Sequence, residues 1–167
     1  MIGDRWGVTE AEVTRRYPCD DLVTAPTLQL WRGVTVRAEP EIVWRWVTQI
    51  RLAPYSYDWI DNLGRRSPQH LHPLPEPVPG DYFTTALGGR RFGKIIAVVP
   101  SEHLTGRIMG AFMSYVLVRD DPTTRLLLKI VMAQGRLVAP LLTVGDLVMA
   151  RRQLLNLGWL AEQTSPV

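Results

Sequence analysis

Five runs between residues 81 and 133 read as β-strands, and they constrain the chain more than any other feature. They cover 81–87, 92–99, 104–109, 112–119 and 125–133, and they are separated by Gly88-Gly89, Pro100-Ser101, Gly110 and Asp120-Asp121-Pro122. Short turns between successive strands make an antiparallel meander. In the last run Leu126, Leu128, Ile130 and Met132 alternate against Arg125 and Lys129, so the even positions face inward. In the run before it, Met113, Tyr115 and Leu117 are the inward set. A sheet with one apolar face needs a cover. Residues 140–162 supply it, with Leu141, Val144, Val148 and Leu155 recurring at helical spacing and Leu147, Leu154 and Leu157 beside them. As a helix this span is about 34 Å long, enough to cross the sheet.

The first half of the chain supplies the remaining elements. Thr9 and Glu12 form a T-x-x-E capping box, which starts a helix near Glu10; Pro18 ends it, and 19–26 is a connecting loop. From 27 to 38, Leu28, Leu30, Val34 and Val36 alternate with Gln29, Thr35 and Arg37, as in a half-buried strand. Pro40 suits a first helical turn, and Ile42, Val43, Trp46, Val47 and Ile50 share one face of about three turns. After Pro54, Ser56 is positioned to cap a short helix with Asp58 and Asp61 in its first turns. Residues 64–80 hold Pro68, Pro73, Pro75, Pro77 and Pro79, which exclude helix interior and central strand and leave a long surface loop suited to be a lid or rim. The expectation is one α+β domain over 1–167, with 1–26 as an N-terminal helical extension and helices on one face of the sheet.

Composition removes several function classes. The net charge of +3 comes from 19 Lys and Arg against 16 Asp and Glu, and the basic residues are scattered in pairs rather than gathered in a stripe, so no nucleic-acid partner is expected. The single cysteine, Cys19, has no disulfide partner and no activating neighbour. No stretch reaches the ~20 apolar residues of a membrane span, and nothing at the start resembles a secretory signal, which implies a cytoplasmic location. His70 and His72 on the proline-rich loop, with His103 elsewhere, lack a third ligand at a recognisable spacing, so neither a metal nor another cofactor is expected. Nucleotide-binding, zincin and hydrolase motifs are missing as well.

Four segments resemble a known family. They are Trp6-Gly7-Val8-Thr9 with Glu12-Val13; Arg32-Gly33-Val34-Thr35-Val36 leading to Pro40-Glu41-Ile42-Val43-Trp44; Tyr55-Ser56-Tyr57-Asp58-Trp59 with Asn62-Leu63; and Gly80-Asp81. Thr124-Arg125-Leu126, Met149, Arg151-Arg152 and Leu154-Leu155 add weaker matches. Together they resemble the START-like (SRPBCC) superfamily, in particular its polyketide cyclase/dehydrase-like and helix-grip ligand-binding proteins. The resemblance implies a helix-grip fold: a curved antiparallel sheet around a long C-terminal helix, two short helices after the first strand, and a cavity between sheet and helix for lipids, sterols or polyketides. The chain departs from the pattern at Met113, where a tryptophan is common, and in its crowded proline-rich loop. No catalytic set carries over, and one fold hosts many functions.

With that cavity in view, Arg32, Trp46, Tyr55, Tyr57, Trp59, Met113, Tyr115, Met132 and Met149 are the candidate ligand-binding residues. Arg32 interrupts the apolar side of its strand, either to orient a polar group or to reach solvent at a strand end. Tyr55, Tyr57 and Trp59 suit a cavity mouth, or the anchoring of a loop on the core. Met109, Met113, Met132 and Met149 offer adaptable thioethers for a ligand, or ordinary core filling. Asp58 and Tyr57 are the candidate acid-base groups, with capping or ion pairing as the plainer role of Asp58.

Three functions follow as expectations. The first is binding of a small apolar or aromatic molecule by a monomer or homodimer, with no nucleic acid and no membrane span. The second is a cyclase or dehydratase acting in the same cavity, which requires an ionisable group inside it. The third is a protein-interaction module, in which Trp31 and Trp44 form an exposed patch.

Overall fold

The computed structural model describes residues 3–133 and 139–164, and within the last helix it describes side chains from 149 onward. The elements in order are β1 (Arg5–Trp6), α1 (Glu10–Thr14), β2 (Leu28–Val36), α2 (Pro40–Val47), α3 (Asp58–Asp61), β3 (Thr84–Ala86), β4 (Arg90–Phe92), β5 (Lys94–Val99), β6 (His103–Ile108), β7 (Ala111–Asp120), β8 (Thr123–Met132) and α4 (Ala139–Thr164). Short 3-10 turns at Asp20–Leu22 and Thr48–Arg51 complete the set. The architecture is α+β. A six-stranded mixed sheet has the order β1-β2-β8-β7-β6-β5, and β3 and β4 form a separate hairpin.

β5 to β8 form the expected meander, and β2 closes onto β8 with Leu30 opposite Ile130 and Val34 opposite Leu126. β1 adds a short parallel edge beside Trp31 and Arg32. Two sequence-based strands are shorter than expected. The run 92–99 breaks at Gly93, whose φ is +66° and where a Cβ would lie 2.4 Å from the Arg107 carbonyl oxygen. Chain direction changes there, so Phe92 belongs to the hairpin and Lys94 to the main sheet. The run 81–87 contracts to three residues, Thr84–Ala86.

Both faces of the sheet are covered. Leu28, Leu30, Val34, Val36, Tyr115, Leu117, Leu126, Leu128 and Ile130 join Val43, Trp46, Val47, Leu154 and Leu157 in the main core under α2 and α4. Gly158 permits close approach of α4 to β2, since a Cβ there would lie 3.1 Å from Val36 Cγ2. Among the described side chains the buried ladder of α4 is Ala150, Leu154, Leu157 and Ala161, while Leu155 is exposed. Leu154 and Leu157 face the core as expected and Leu155 does not; Leu141, Val144, Leu147 and Val148 fall outside the described side chains.

The opposite face is buried by the N-terminal segment. Tyr17, Cys19 and Val23 pack with Trp31, Val116, Leu127 and Val131. The capping box of Thr9 and Glu12 is present, and the same Glu12 carboxylate receives two hydrogen bonds from Arg125 on β8, at 2.8 and 2.9 Å. Lys129 is buried between the Trp31 and Tyr17 rings and pairs with Asp20. Trp44 is buried too, its indole N–H donating to Glu76 on the proline-rich loop. The exposed tryptophan patch of the interaction-module reading therefore does not exist. Among the described residues no helix is long and apolar enough to cross a membrane.

Candidate functional site

Between the sheet and α4 lies a cavity of about 320 Å³. The sheet contributes Met113, Tyr115, Leu128 and Ile130, and α4 contributes Met149, Ala150 and Gln153. Phe83, Phe92, Ala86 and Leu87 close it from the β3-β4 hairpin, and Pro54, Ser56 and Asp61 from the segment around α3. Gly106 fixes one wall. A Cβ there would lie 2.1 Å from the Phe83 ring, so the glycine lets Phe83 lie flat on β6, where it also meets Tyr115 with ring centroids 6.3 Å apart.

The lining is apolar except at one end. There the Tyr115 hydroxyl donates to Gln153 Oε1, and Gln153 Nε2 donates to the Pro54 carbonyl at 2.6 Å, a bridge from β7 through α4 to the opposite wall. Ser56 donates to Asp61 Oδ2, while the other oxygen, Oδ1, is buried without a hydrogen-bond partner. Burial raises the Asp61 pKa above its ordinary value, with the neighbouring Asp58 charge adding to the effect. The backbone here is held under tension: Tyr55 has a φ of +57°, and Asn156 Nδ2 donates to its carbonyl at 2.8 Å.

The sequence candidates divide. Met113, Tyr115 and Met149 share the cavity wall. Tyr55 lies behind that wall, buried edge-on against Trp46 at 6.2 Å, and Trp46 donates to Thr164 Oγ1. Arg32 is fully buried but away from the cavity, donating to the carbonyls of Asp4 and Trp31. Met132 packs at the edge of the core. Trp59 is 74% exposed on α3.

Asp58 and Tyr57 do not line the cavity. Asp58 accepts the Ser67 backbone N–H at 2.8 Å and the Ser67 hydroxyl, which pins the start of the proline-rich loop. Tyr57 precedes α3, with the Arg152 guanidinium 5.9 Å from its ring centroid. A second, wider cleft of about 630 Å³ involves Tyr55, Asp58, Gln69, Arg152, Asn156 and Trp159. It is larger but has no wall from the sheet, and its lining is more polar; the apolar lining of the first cavity makes that cavity the candidate binding site. His70 and His72 are exposed, and the Gln49 amide clamps the His72 backbone through two hydrogen bonds of 3.1 Å. Among the described residues no group of three or more metal-ligating side chains occurs.

Asp61, Ser56 and Gln153 line the cavity but are not among the sequence-based candidates for it. Gln153 had a readable signal, a polar residue four positions from Met149 and four from Leu157. Asp61 did not, because an acid in a first helical turn has an adequate local explanation.

No family model matches the chain, and no curated protein sequence does. Solved structures do. A crystal structure of a Mesorhizobium loti protein is similar over 83% of this chain and 99% of its own, with a TM-score of 0.58 at 17% identity. A Nitrosomonas europaea protein follows at TM-score 0.53 and 15% identity, over 81% and 95% of the two chains. An Arthrobacter aurescens protein solved by NMR gives 0.53 at 12%, over 81% and 86%. The fold is shared with solved bacterial proteins. At these identities the likeness concerns the fold alone.

Proposed function

We propose that this chain has the helix-grip fold of the START-like superfamily and binds a small apolar or aromatic molecule of the lipid, sterol or polyketide class. The observation that supports it is an apolar cavity between sheet and α4 with one polar end, of a volume within the ~300–1,000 Å³ usual for small-molecule sites. An apolar body would pack on Phe83, Phe92, Met113, Ile130 and Met149. A hydroxyl on the guest would meet Asp61 Oδ1, an acceptor otherwise left buried and unused. Aromatic and thioether walls suit guests of varied outline.

Native mass spectrometry of gently purified protein and displacement of an apolar dye by a lipid, sterol and polyketide panel test the reading. Saturable one-to-one displacement is expected, together with its loss in Ala150→Phe, which fills the cavity from α4. Absence of displacement across the panel, or unchanged displacement in a folded Ala150→Phe protein, would count against it.

Acid-base chemistry on a folded poly-ketone is the second reading, favoured by one observation: Asp61 is a carboxyl whose pKa burial has raised, at the edge of an apolar site. Loss of turnover in Asp61→Asn with binding retained would separate this enzyme from a binding protein.

A further inference from the structure

The rim of the cavity mouth carries exposed apolar side chains that a guest inside the cavity does not account for. The β6-β7 turn is Met109-Gly110, and the β3-β4 turn is Leu87-Gly88-Gly89. Met109, Leu87 and Leu63, which follows α3, have φ values of +48°, +46° and +52°, and each precedes a glycine that also has positive φ. Gly, Asn and Asp are the ordinary occupants of such left-handed positions, because a larger side chain strains them. Here the three side chains are apolar and point into solvent, with exposures of 86%, 46% and 70%. Strained backbone that persists at a surface is a marker of function.

The three residues form one patch. Leu87 and Met109 both border the cavity, Leu87 N–H donates to the Asp61 carbonyl at 2.9 Å, and a Cβ on Gly88 would lie 3.5 Å from Leu63 Cδ1. Trp59 and Ile60 on α3 extend the exposed apolar area. Cations flank it along the chain. Residues 62–75 and 82–94 contain Arg65, Arg66, Arg90, Arg91 and Lys94 and no Asp or Glu, an excess of five against +3 for the whole chain. All five are exposed, and a Cβ on Gly89 would lie 3.3 Å from Arg65 Nη1, which sets Arg65 against the hairpin tip. Arg91 stacks on Tyr82 at 4.5 Å, and among the described residues none of the five forms an ion pair. The carboxylates of α3 turn inward, Asp58 to Ser67 and Asp61 to Ser56.

We propose that the cavity mouth docks on the surface of an anionic lipid bilayer, with Leu63, Leu87 and Met109 entering the acyl boundary and Arg65, Arg66 and Arg90 against lipid phosphates. Apolar side chains at the centre with arginines around them match the layered chemistry of such a surface, where headgroup charge overlies hydrocarbon. A nucleic acid would satisfy the arginines and leave the three apolar side chains in water. Docking in this orientation opens the cavity toward the membrane, so an apolar guest passes between bilayer and protein without crossing water.

Co-sedimentation with phosphatidylcholine vesicles, with and without phosphatidylglycerol, tests the proposal. Partition onto the anionic vesicles at least tenfold above that onto neutral ones is expected, falling as salt rises. The pair Arg65→Glu/Arg90→Glu should lose that partition while retaining dye binding and its unfolding transition. Leu63→Ser, outside the cavity lining, should reduce it several-fold with dye binding again unchanged. Equal partition on both vesicle types, none on either, wild-type partition by both variants, or preference for duplex DNA would overturn it.

Discussion

On β8, Leu127, Lys129 and Val131 face the N-terminal segment, while Leu126, Leu128 and Ile130 face α4. The first face is filled: Tyr17, Cys19 and Val23 occupy it, and both cations that emerge there, Arg125 and Lys129, find carboxylates in Glu12 and Asp20. The second face is hollow at its β6-β7 end and ends in a carboxyl with one oxygen unused. One strand thus serves a packed layer and an open chamber on alternate residues. The difference shows that the cavity is not a failure of packing in a small core, since the same chain closes the other face completely.

Truncation should separate the faces most strongly. Leu127→Ala on the filled face is expected to cost about 2–5 kcal/mol in denaturant unfolding, and Met113→Ala on the chamber wall less than half as much, because its side chain already borders empty space. Equal losses would mean that the chamber is packed in solution. Next in size, Asp20→Ala leaves Lys129 buried and should cost about 1–3 kcal/mol. Adding Lys129→Met should restore most of that loss, since an apolar residue of similar volume needs no partner.

Ala150→Leu sharpens the contrast from the other direction. It adds three carbons to the chamber, and stability should stay within about 1 kcal/mol of the parent while apolar dye affinity falls at least tenfold. A large destabilisation would show that α4 has no spare room there.

The smallest effects are in pH dependence, and they have opposite signs on the two faces. Hydrogen bonding to Arg125 lowers the Glu12 pKa below its usual 4.5. Its contribution to stability is therefore present above that value and lost as pH falls through the lower folded value. Burial raises Asp61 above its usual 3.8, so its contribution is greatest below that value and is lost as pH rises through the folded one. Glu12→Gln should lower the Tm at neutral pH and Asp61→Asn should raise it, both differences shrinking toward acid. Melting curves from about pH 3 to 7 on the three proteins check the signs.

Period-two alternation made the inward sets of β7 and β8 legible, because Arg125 and Lys129 mark the opposite face of β8 even though that face is buried as well. The capping box at Thr9 and the helix from Pro40 were legible for similarly local reasons. What escaped depends on distant chain. Trp31 looks exposed until Tyr17 and Cys19 are laid over it, and the break at Gly93 is understood only when Arg107 is opposite. Of the site, Met113, Tyr115 and Met149 were accessible through periodicity. Arg32 was not, because an arginine on an apolar face reads equally as a ligand's partner or as a buried donor to main-chain carbonyls, and the carbonyl of Asp4 lies 28 residues away.

Gly106 carries a consequence for engineering. Phe83 rests where a methyl group would otherwise stand, so the width of the cavity is set in part by a position that does not line it. A single added carbon there would collide with the ring and force it to move, so the outline of the compartment depends on a residue outside its lining.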